Sequence, residues 1–143
     1  MKIKDALDRT VRCYPDKTAL VTDDGSFTYS ELDDRATRLA NAVAERIGTD
    51  RCAVLSINTV AAIESMVAGN KRGVATVQLS YRATVEELAS MADTAEATAV
   101  VFDDANADAA LELLDRDIFE TAIHAGEREF GRDDVESYEA VLN

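Results

Sequence analysis

The 143-residue chain is sparing with side chains that make or break bonds. His124 is its single histidine, so a histidine-rich metal site is excluded. Placed at the end of a short apolar run, it is expected to be a surface or hydrogen-bonded histidine rather than a general base. Five acidic pairs, Asp23-Asp24, Asp33-Asp34, Glu86-Glu87, Asp103-Asp104 and Asp133-Asp134, have the composition of an acid/base couple or a magnesium site. They fall at turns and helix starts, where a solvated or capping role is expected instead. Ser56 and Ser80 lack the glycine-flanked turn that exposes a nucleophile. Cys13 and Cys52 sit alone among apolar neighbours, outside any metal or redox spacing, which predicts two buried free thiols in a reducing cytoplasm. No glycine-rich phosphate cradle occurs, neither the dinucleotide fingerprint nor the nucleotide-binding loop. That leaves Tyr81-Arg82, just past a predicted strand where a crevice would open; its competing role is a loop arginine that packs and pairs with a nearby acid. The residues therefore nominate no catalytic side chain and no metal ligand, and they leave cofactor-binding residues unassigned.

The elements that would position these groups alternate. Apolar runs at 53–57, 75–79 and 98–102 are too short for helices and read as buried strands. Between the first two, Val60, Ile63, Met66 and Val67 recur at spacings of three and four, with Asn58 or Thr59 as N-cap and Lys71-Arg72-Gly73 at the close. Between the second two, Thr84 and Glu87 have the spacing of a capping box, and the helix behind them is expected to bury Leu88, Met91 and Ala95. Strands separated by a whole helix cannot be hairpin partners, so they should lie parallel with right-handed crossovers, and ligands should gather beyond their carboxyl ends. Those ends are Asn58, Ser80 to Arg82 and Asp103-Asp104.

Upstream, residues 2–13 form an amphipathic helix through Ile3, Leu7 and Val11, stopped at Tyr14-Pro15. Two short strands at 18–22 and 26–29 meet at Asp23-Asp24-Gly25, a hairpin signal because glycine accepts positive φ. Thr28 and Glu31 make a second capping box for a helix to Ile47 whose stripe is Leu32, Ala36, Leu39, Ala40, Val43 and Ile47, with Gly48 as C-cap. Downstream follow a helix at 106–114 with Ala109, Ala110, Leu113 and Leu114 inward, a strand or helical turn at 121–124, a charged loop at 127–134 and a short helix at 135–142. The expected fold class is α/β: one domain over residues 1–143, a parallel sheet of strand–helix units with helices on both faces, preceded by a helix and a hairpin.

With 47% hydrophobic and 30% charged residues the composition is that of a soluble globular protein. The net charge of -13 repels phosphate backbones and anionic headgroups, which argues against nucleic acid or a membrane surface as partner. Scarce lysine, abundant alanine and the paired acids match proteins of a high-salt cytoplasm, where screening suppresses self-repulsion. The opening residues contain no signal-peptide core and no run nears the roughly 20 apolar residues that span a bilayer. A cytoplasmic location is expected.

Five stretches, in order and at consistent spacing, resemble the N-terminal part of the AMP-forming acyl-CoA synthetases, the adenylating superfamily that includes luciferase. They are Tyr14-Pro15-Asp16-Lys17-Thr18-Ala19-Leu20; Phe27-Thr28-Tyr29-Ser30-Glu31-Leu32 with 35–40; Asp50-Arg51-Cys52-Ala53-Val54-Leu55 with Asn58; Lys71-Arg72-Gly73-Val74-Ala75; and Tyr81-Arg82-Ala83-Thr84-Val85-Glu86-Glu87-Leu88. Within that family the blocks look most like fatty-acyl or related carboxylate–CoA ligases. The resemblance implies a fold and an ancestry in which ATP, magnesium and CoA serve the full-length enzyme, which forms an acyl adenylate and transfers the acyl group to CoA. The family's phosphate loop, Tyr-Gly-x-Thr-Glu stretch, ribose-binding aspartate and mobile-domain lysine match no position here, and Asn143 falls shortly before the phosphate loop would begin. No cofactor is expected for this chain alone. Two departures stand out: Gln78 and Ser80 where the family has proline and asparagine, and Asn70-Lys71-Arg72 where it has small residues. The implied roles are the N-terminal portion of a truncated or split ligase partnered by the missing catalytic part, or a stand-alone non-catalytic module that binds or self-associates through an exposed sheet face.

Overall fold

The computed structural model describes residues 2–23, 25–48 and 50–143. The chain runs α1 (Ile3–Cys13), β1 (Thr18–Thr22), β2 (Gly25–Thr28), α2 (Tyr29–Ile47), β3 (Arg51–Leu55), α3 (Val60–Arg72), β4 (Thr76–Gln78), α4 (Val85–Ala95), β5 (Ala97–Asp103), α5 (Ala107–Asp115), β6 (Thr121–Ala125), β7 (Val135–Ser137) and α6 (Tyr138–Leu142). The expected hairpin forms as an antiparallel β1–β2 pair; Asp24, named in the sequence reading, lies outside the described residues.

β3 to β7 make a single sheet in the order β4-β3-β5-β6-β7 with every neighbouring pair parallel, as strands separated by crossovers require. Side chains alternate between two cores. Ala53, Leu55, Val100, Phe102 and Ala122 meet α4 and α5 on one face, where Leu88, Ala92 and Leu113 are buried. Cys52, Ala99, Val101 and Ile123 meet α2, α3 and α6 on the other, against Ala36, Leu39, Val43 and Tyr138. The order reverses at β3, whose two neighbours are β4 and β5, so the topological switch point lies between the carboxyl ends of β3 and β5.

The caps behave as their spacing dictates. Thr28 Oγ1 accepts from the Glu31 amide at 3.1 Å while the Thr28 amide donates to Glu31 Oε2 at 2.7 Å; Thr84 and Glu87 repeat the exchange at 3.2 and 2.8 Å. Thr59 rather than Asn58 caps α3. The α2 stripe, Leu32, Ala36, Leu39, Ala40, Val43 and Ile47, is buried throughout. Its larger members each stabilise the fold by about 1.5–3 kcal/mol before ordering entropy.

Several expectations are overturned. α3 buries Ala61, Glu64, Ser65, Ala68 and Gly69 and turns Ile63 and Met66 outward. Close packing contributes to the inversion: a Cβ on Gly69 would stand 2.7 Å from Thr76 Cγ2 and 2.8 Å from the Val74 carbonyl, so nothing larger than glycine fits at that point of α3. α4 likewise buries Leu88 and Ala92 while Met91 faces solvent. Residues 135–142 divide into a fifth strand and a five-residue helix, because β7 finds ladder partners along β6 and Glu136 is held by Arg46 of α2 at 2.7 Å. Cys52 is buried but Cys13 is exposed at the end of α1, a helix with no buried residue. Gln78 is exposed on the edge strand, so it needs no buried partner.

The inverted packing generates a paired expectation. Leu39→Ala should lower stability by about 3 kcal/mol in urea unfolding, whereas Met66→Ala, despite its place in the helical period, should change it by less than about 0.5 kcal/mol.

Candidate functional site

Beyond the carboxyl ends of β3, β5, β6 and β7 lies an open crevice of about 720 Å³. Its floor is organised by two consecutive aspartates at the end of β5. Asp103 is buried and spans the switch point: its Oδ2 accepts from the Ile57 amide at 3.0 Å and its Oδ1 from the Asn106 amide at 3.1 Å and side chain at 2.6 Å. That side-chain tie joins the exits of β3 and β5, and Asp103 with Ile57 forms part of the crevice lining. Asp104 turns to β6, with Oδ1 2.6 Å from His124 Nε2 and the amides of Glu127 and Arg128 donating to it at 3.0 and 3.2 Å. Gly126 permits that approach, because a Cβ there would lie 2.3 Å from Asp104 Oδ1. His124 is buried, with the rings of Phe102 and Phe130 at centroid distances of 5.1 and 4.7 Å.

The opposite wall is a charge cluster drawn from three helices. Arg35 of α2 grips Glu64 of α3 through Nε at 2.8 Å and Nη2 at 3.1 Å, and reaches Glu139 of α6 through Nη2 at 2.8 Å and Nη1 at 3.2 Å. The Phe27 ring lies 5.6 Å from its guanidinium carbon. Glu64 has no exposed surface; burial lifts its pKa above the usual carboxylate range, and the hydrogen bonds and charge of Arg35 only partly offset this. The bond to Glu139, then that to Glu64, raises Arg35 against its own desolvation. Beside them the Tyr138 hydroxyl is buried and pushed up by desolvation and by the charge of Glu64. It lies near enough for the two to shift each other's titration, yet completes no hydrogen bond of ordinary geometry.

The sequence candidates are scattered. His124 and the Asp103-Asp104 pair reach the crevice, but as satisfied structural groups. Tyr81 and Arg82 do not, because β4 is an edge strand whose carboxyl end lies outside it; both are exposed, and Arg82 stacks on Tyr81 at 5.6 Å. Ser56 Oγ donates to the Ile57 carbonyl at 2.8 Å and lies 2.9 Å from Thr59 Oγ1, and Ser80 Oγ accepts from the Arg82 amide at 3.4 Å. Burial pushes the Cys52 thiol up to about 12, which makes it inert. Of the other acid pairs, Asp33 joins Lys71, Asp34 joins Arg38 at 2.9 Å, Glu86 joins Arg116 at 2.8 Å and Asp134 joins Arg132 at 2.7 Å. Lys71, with Arg72 bonded to Asn41, ties α3 to α2, so the departure at Asn70-Lys71-Arg72 becomes an inter-helix seam.

The residues that build the site, Arg35, Glu64, Tyr138 and Glu139, were not singled out from sequence. Their available signal was the small-residue face of α3, Ala61, Ser65, Ala68 and Gly69, on which Glu64 is the one charged position. Chemically the arrangement presents carboxylates, a guanidinium and a hydroxyl to the crevice. The His124–Asp104 pair has no nucleophile bonded to it among the described residues, and those residues contain no cluster of three or more His, Cys, Asp or Glu suited to a metal ion. No described helix is long and apolar enough to cross a membrane.

Residues 7–140 match the family model described as AMP-binding enzyme. A 3-oxocholest-4-en-26-oate–CoA ligase from Rhodococcus rhodochrous is 30% identical over 104 residues, covering 71% of this chain and 19% of the relative. A medium/long-chain-fatty-acid–CoA/3-oxocholest-4-en-26-oate–CoA ligase from Mycobacterium marinum is 25% identical over 116 residues, covering 80% and 21%. The chain thus spans about a fifth of the length of these relatives. Among solved structures, a benzoate CoA ligase from Burkholderia xenovorans superposes over 99% of this chain and 28% of its own, with a TM-score of 0.86 at 23% identity, a likeness of fold.

Glu64→Ala would leave Arg35 with the exposed Glu139 alone and should cost about 3 kcal/mol in chemical unfolding. Burial opposes ionisation of Asp104, but the Glu127 and Arg128 amides and His124 outweigh it and hold the carboxyl below the usual range. A depressed pKa makes its stabilisation present above the unfolded value and lost as pH falls through the folded one, whereas the raised Glu64 contributes with the opposite sign. Asp104→Asn should therefore flatten the fall in thermal midpoint below about pH 4, read by circular dichroism.

Proposed function

The chain belongs to the AMP-binding enzyme family, and on that premise we propose that it is the N-terminal portion of an AMP-forming carboxylate–CoA ligase, a scaffold that acts with a catalytic portion supplied separately or in the same polypeptide. The observation that carries this reading is the match of residues 7–140 to the family while the chain spans only about a fifth of its ligase relatives. The substrate class is a hydrophobic carboxylic acid, fatty or polycyclic, by analogy with what those relatives' names state.

ATP and CoA do not fit the residues present. The crevice sets five carboxylates, Glu64, Asp103, Asp104, Glu127 and Glu139, against Arg35, whose guanidinium is already shared by two of them. A polyphosphate entering it would meet like charge in a partly desolvated site. Adenylation thus belongs to the catalytic portion, and the role of this domain is to complete the fold around it.

A second reading, a binding or self-associating module, is favoured by one feature. The five-stranded sheet has helices on both faces, but the β1–β2 pair carries Val21 at 77% exposure, so a sheet-face contact would use the hairpin. The net charge of -13 also supports the high-salt setting expected from composition.

Mixing the chain with the polypeptide that follows the matched stretch in the R. rhodochrous ligase, then supplying ATP, magnesium and 3-oxocholest-4-en-26-oate, should release pyrophosphate where neither part alone does; no release would end the ligase reading. Raising potassium chloride from about 0.1 M to about 2 M should raise the thermal midpoint, as screening shortens the reach of repulsion on a surface of net charge -13.

A further inference from the structure

Three features of the crevice are unexplained by the stability of this chain. Its carboxylates outnumber its cations among the described residues: the one guanidinium of Arg35 is shared by Glu64 and Glu139, and Glu127 stands at the mouth with its amide engaged by Asp104. The nearby Arg128 is taken up by Asp108 at 3.2 Å and the Phe130 ring at 5.3 Å. Its polar wall contains a buried hydroxyl, Tyr138, that is 3% exposed and, beside Glu64, completes no hydrogen bond of ordinary geometry among the described residues. Along its other wall Ile57 and Val60 continue onto the outward face of α3 as Ile63 and Met66, at 43%, 37% and 45% exposure for Ile57, Ile63 and Met66. An apolar stripe beside concentrated negative charge is complementary to an amphipathic cation.

We propose that this crevice is a docking groove for a segment of the ligase's catalytic portion, one that carries an arginine or lysine to Glu127 and Glu139 and an apolar side chain to Ile57 and Val60. The inference rests on the reading of the chain as a ligase's N-terminal portion and adds where, and by what chemistry, the rest is held. Arg35 neutralises only one of its two carboxylates, so an incoming cation completes the pairing of Glu139, whose side chain is 67% exposed and reachable from solvent. A free phosphate or an acidic segment would be repelled by the same residues. The apolar stripe supplies the area that a charge contact at the rim lacks.

The test uses the whole chain, labelled with nitrogen-15, and acetyl-Leu-Arg-Leu-amide as probe, with acetyl-Leu-Glu-Leu-amide as control. The arginine peptide should shift the amides of Ile57, Val60, Glu127 and Glu139 and the acidic peptide should not; Glu127→Lys should weaken the response about tenfold while the remaining spectrum stays native. In the pyrophosphate assay, Glu127→Lys and Ile57→Glu should each raise the half-saturating concentration of the catalytic polypeptide about tenfold. Equal shifts with both peptides, shifts spread over the acidic surface at large, or pyrophosphate release indifferent to both substitutions would overturn the docking groove while leaving the ligase reading intact. Loss of release in the unsubstituted pair would instead overturn the ligase reading, and with it the identity of the docked partner.

Discussion

A carboxylate with no access to water must be given its counter-charge by the protein, and Glu64 is that carboxylate here. Arg35 meets it with two parallel hydrogen bonds, a geometry that fixes direction as well as distance. Because Arg35 comes from α2, Glu64 from α3 and the second acceptor Glu139 from α6, the pair sets how three helices lie on one face of the sheet. α3 must turn its small side inward so that Glu64 reaches Arg35 and Gly69 passes the β4 connection. Its larger apolar residues are then left facing out. An exposed hydrophobic stripe is thus the consequence of a buried charge, not a flaw in the amphipathic pattern.

The same constraint shapes the crevice. Asp103 fastens the exit of β3 to that of β5, and Asp104 fastens β5 to the loop after β6 through His124 and two backbone amides. Among the described residues Glu64, Glu139, Asp103 and Asp104 are each bound to a local partner, and carboxylates line the crevice where a nucleotide's phosphates would need a positive field or free amides. The topology nevertheless presents an opening where such sheets bind ligands. A scaffold whose opening is acidic and flanked by apolar side chains suits a protein segment better than a nucleotide.

Much of this was legible in the residues. Thr28-Glu31 and Thr84-Glu87 announced two helix starts because a capping box satisfies the same backbone donors in any context, and the α2 stripe was correct because its large residues had a large core to fill. α3 was misjudged because hydrophobic periodicity assumes that the most apolar face is the buried one, and here proximity of backbones and one ion pair outweighed it. β7 was hidden in an apparent helix because three residues gain their ladder only from β6, a partner remote from local sequence. Tyr81-Arg82 lies away from the crevice, and its separation is not written in any local motif because strand order is what places β4 at the edge. The crevice cluster was missed for a related reason: Arg35 and Glu139 are 104 positions apart, and only the fold brings them together.

The claim on which the account turns is that this domain inherited the scaffold of an acid-activating ligase while the grip on the nucleotide resides elsewhere. Isothermal titration of the isolated chain with magnesium ATP addresses it directly. The account predicts no saturable heat up to millimolar ATP; a one-to-one isotherm with micromolar affinity, abolished by substitutions in the crevice, would contradict it.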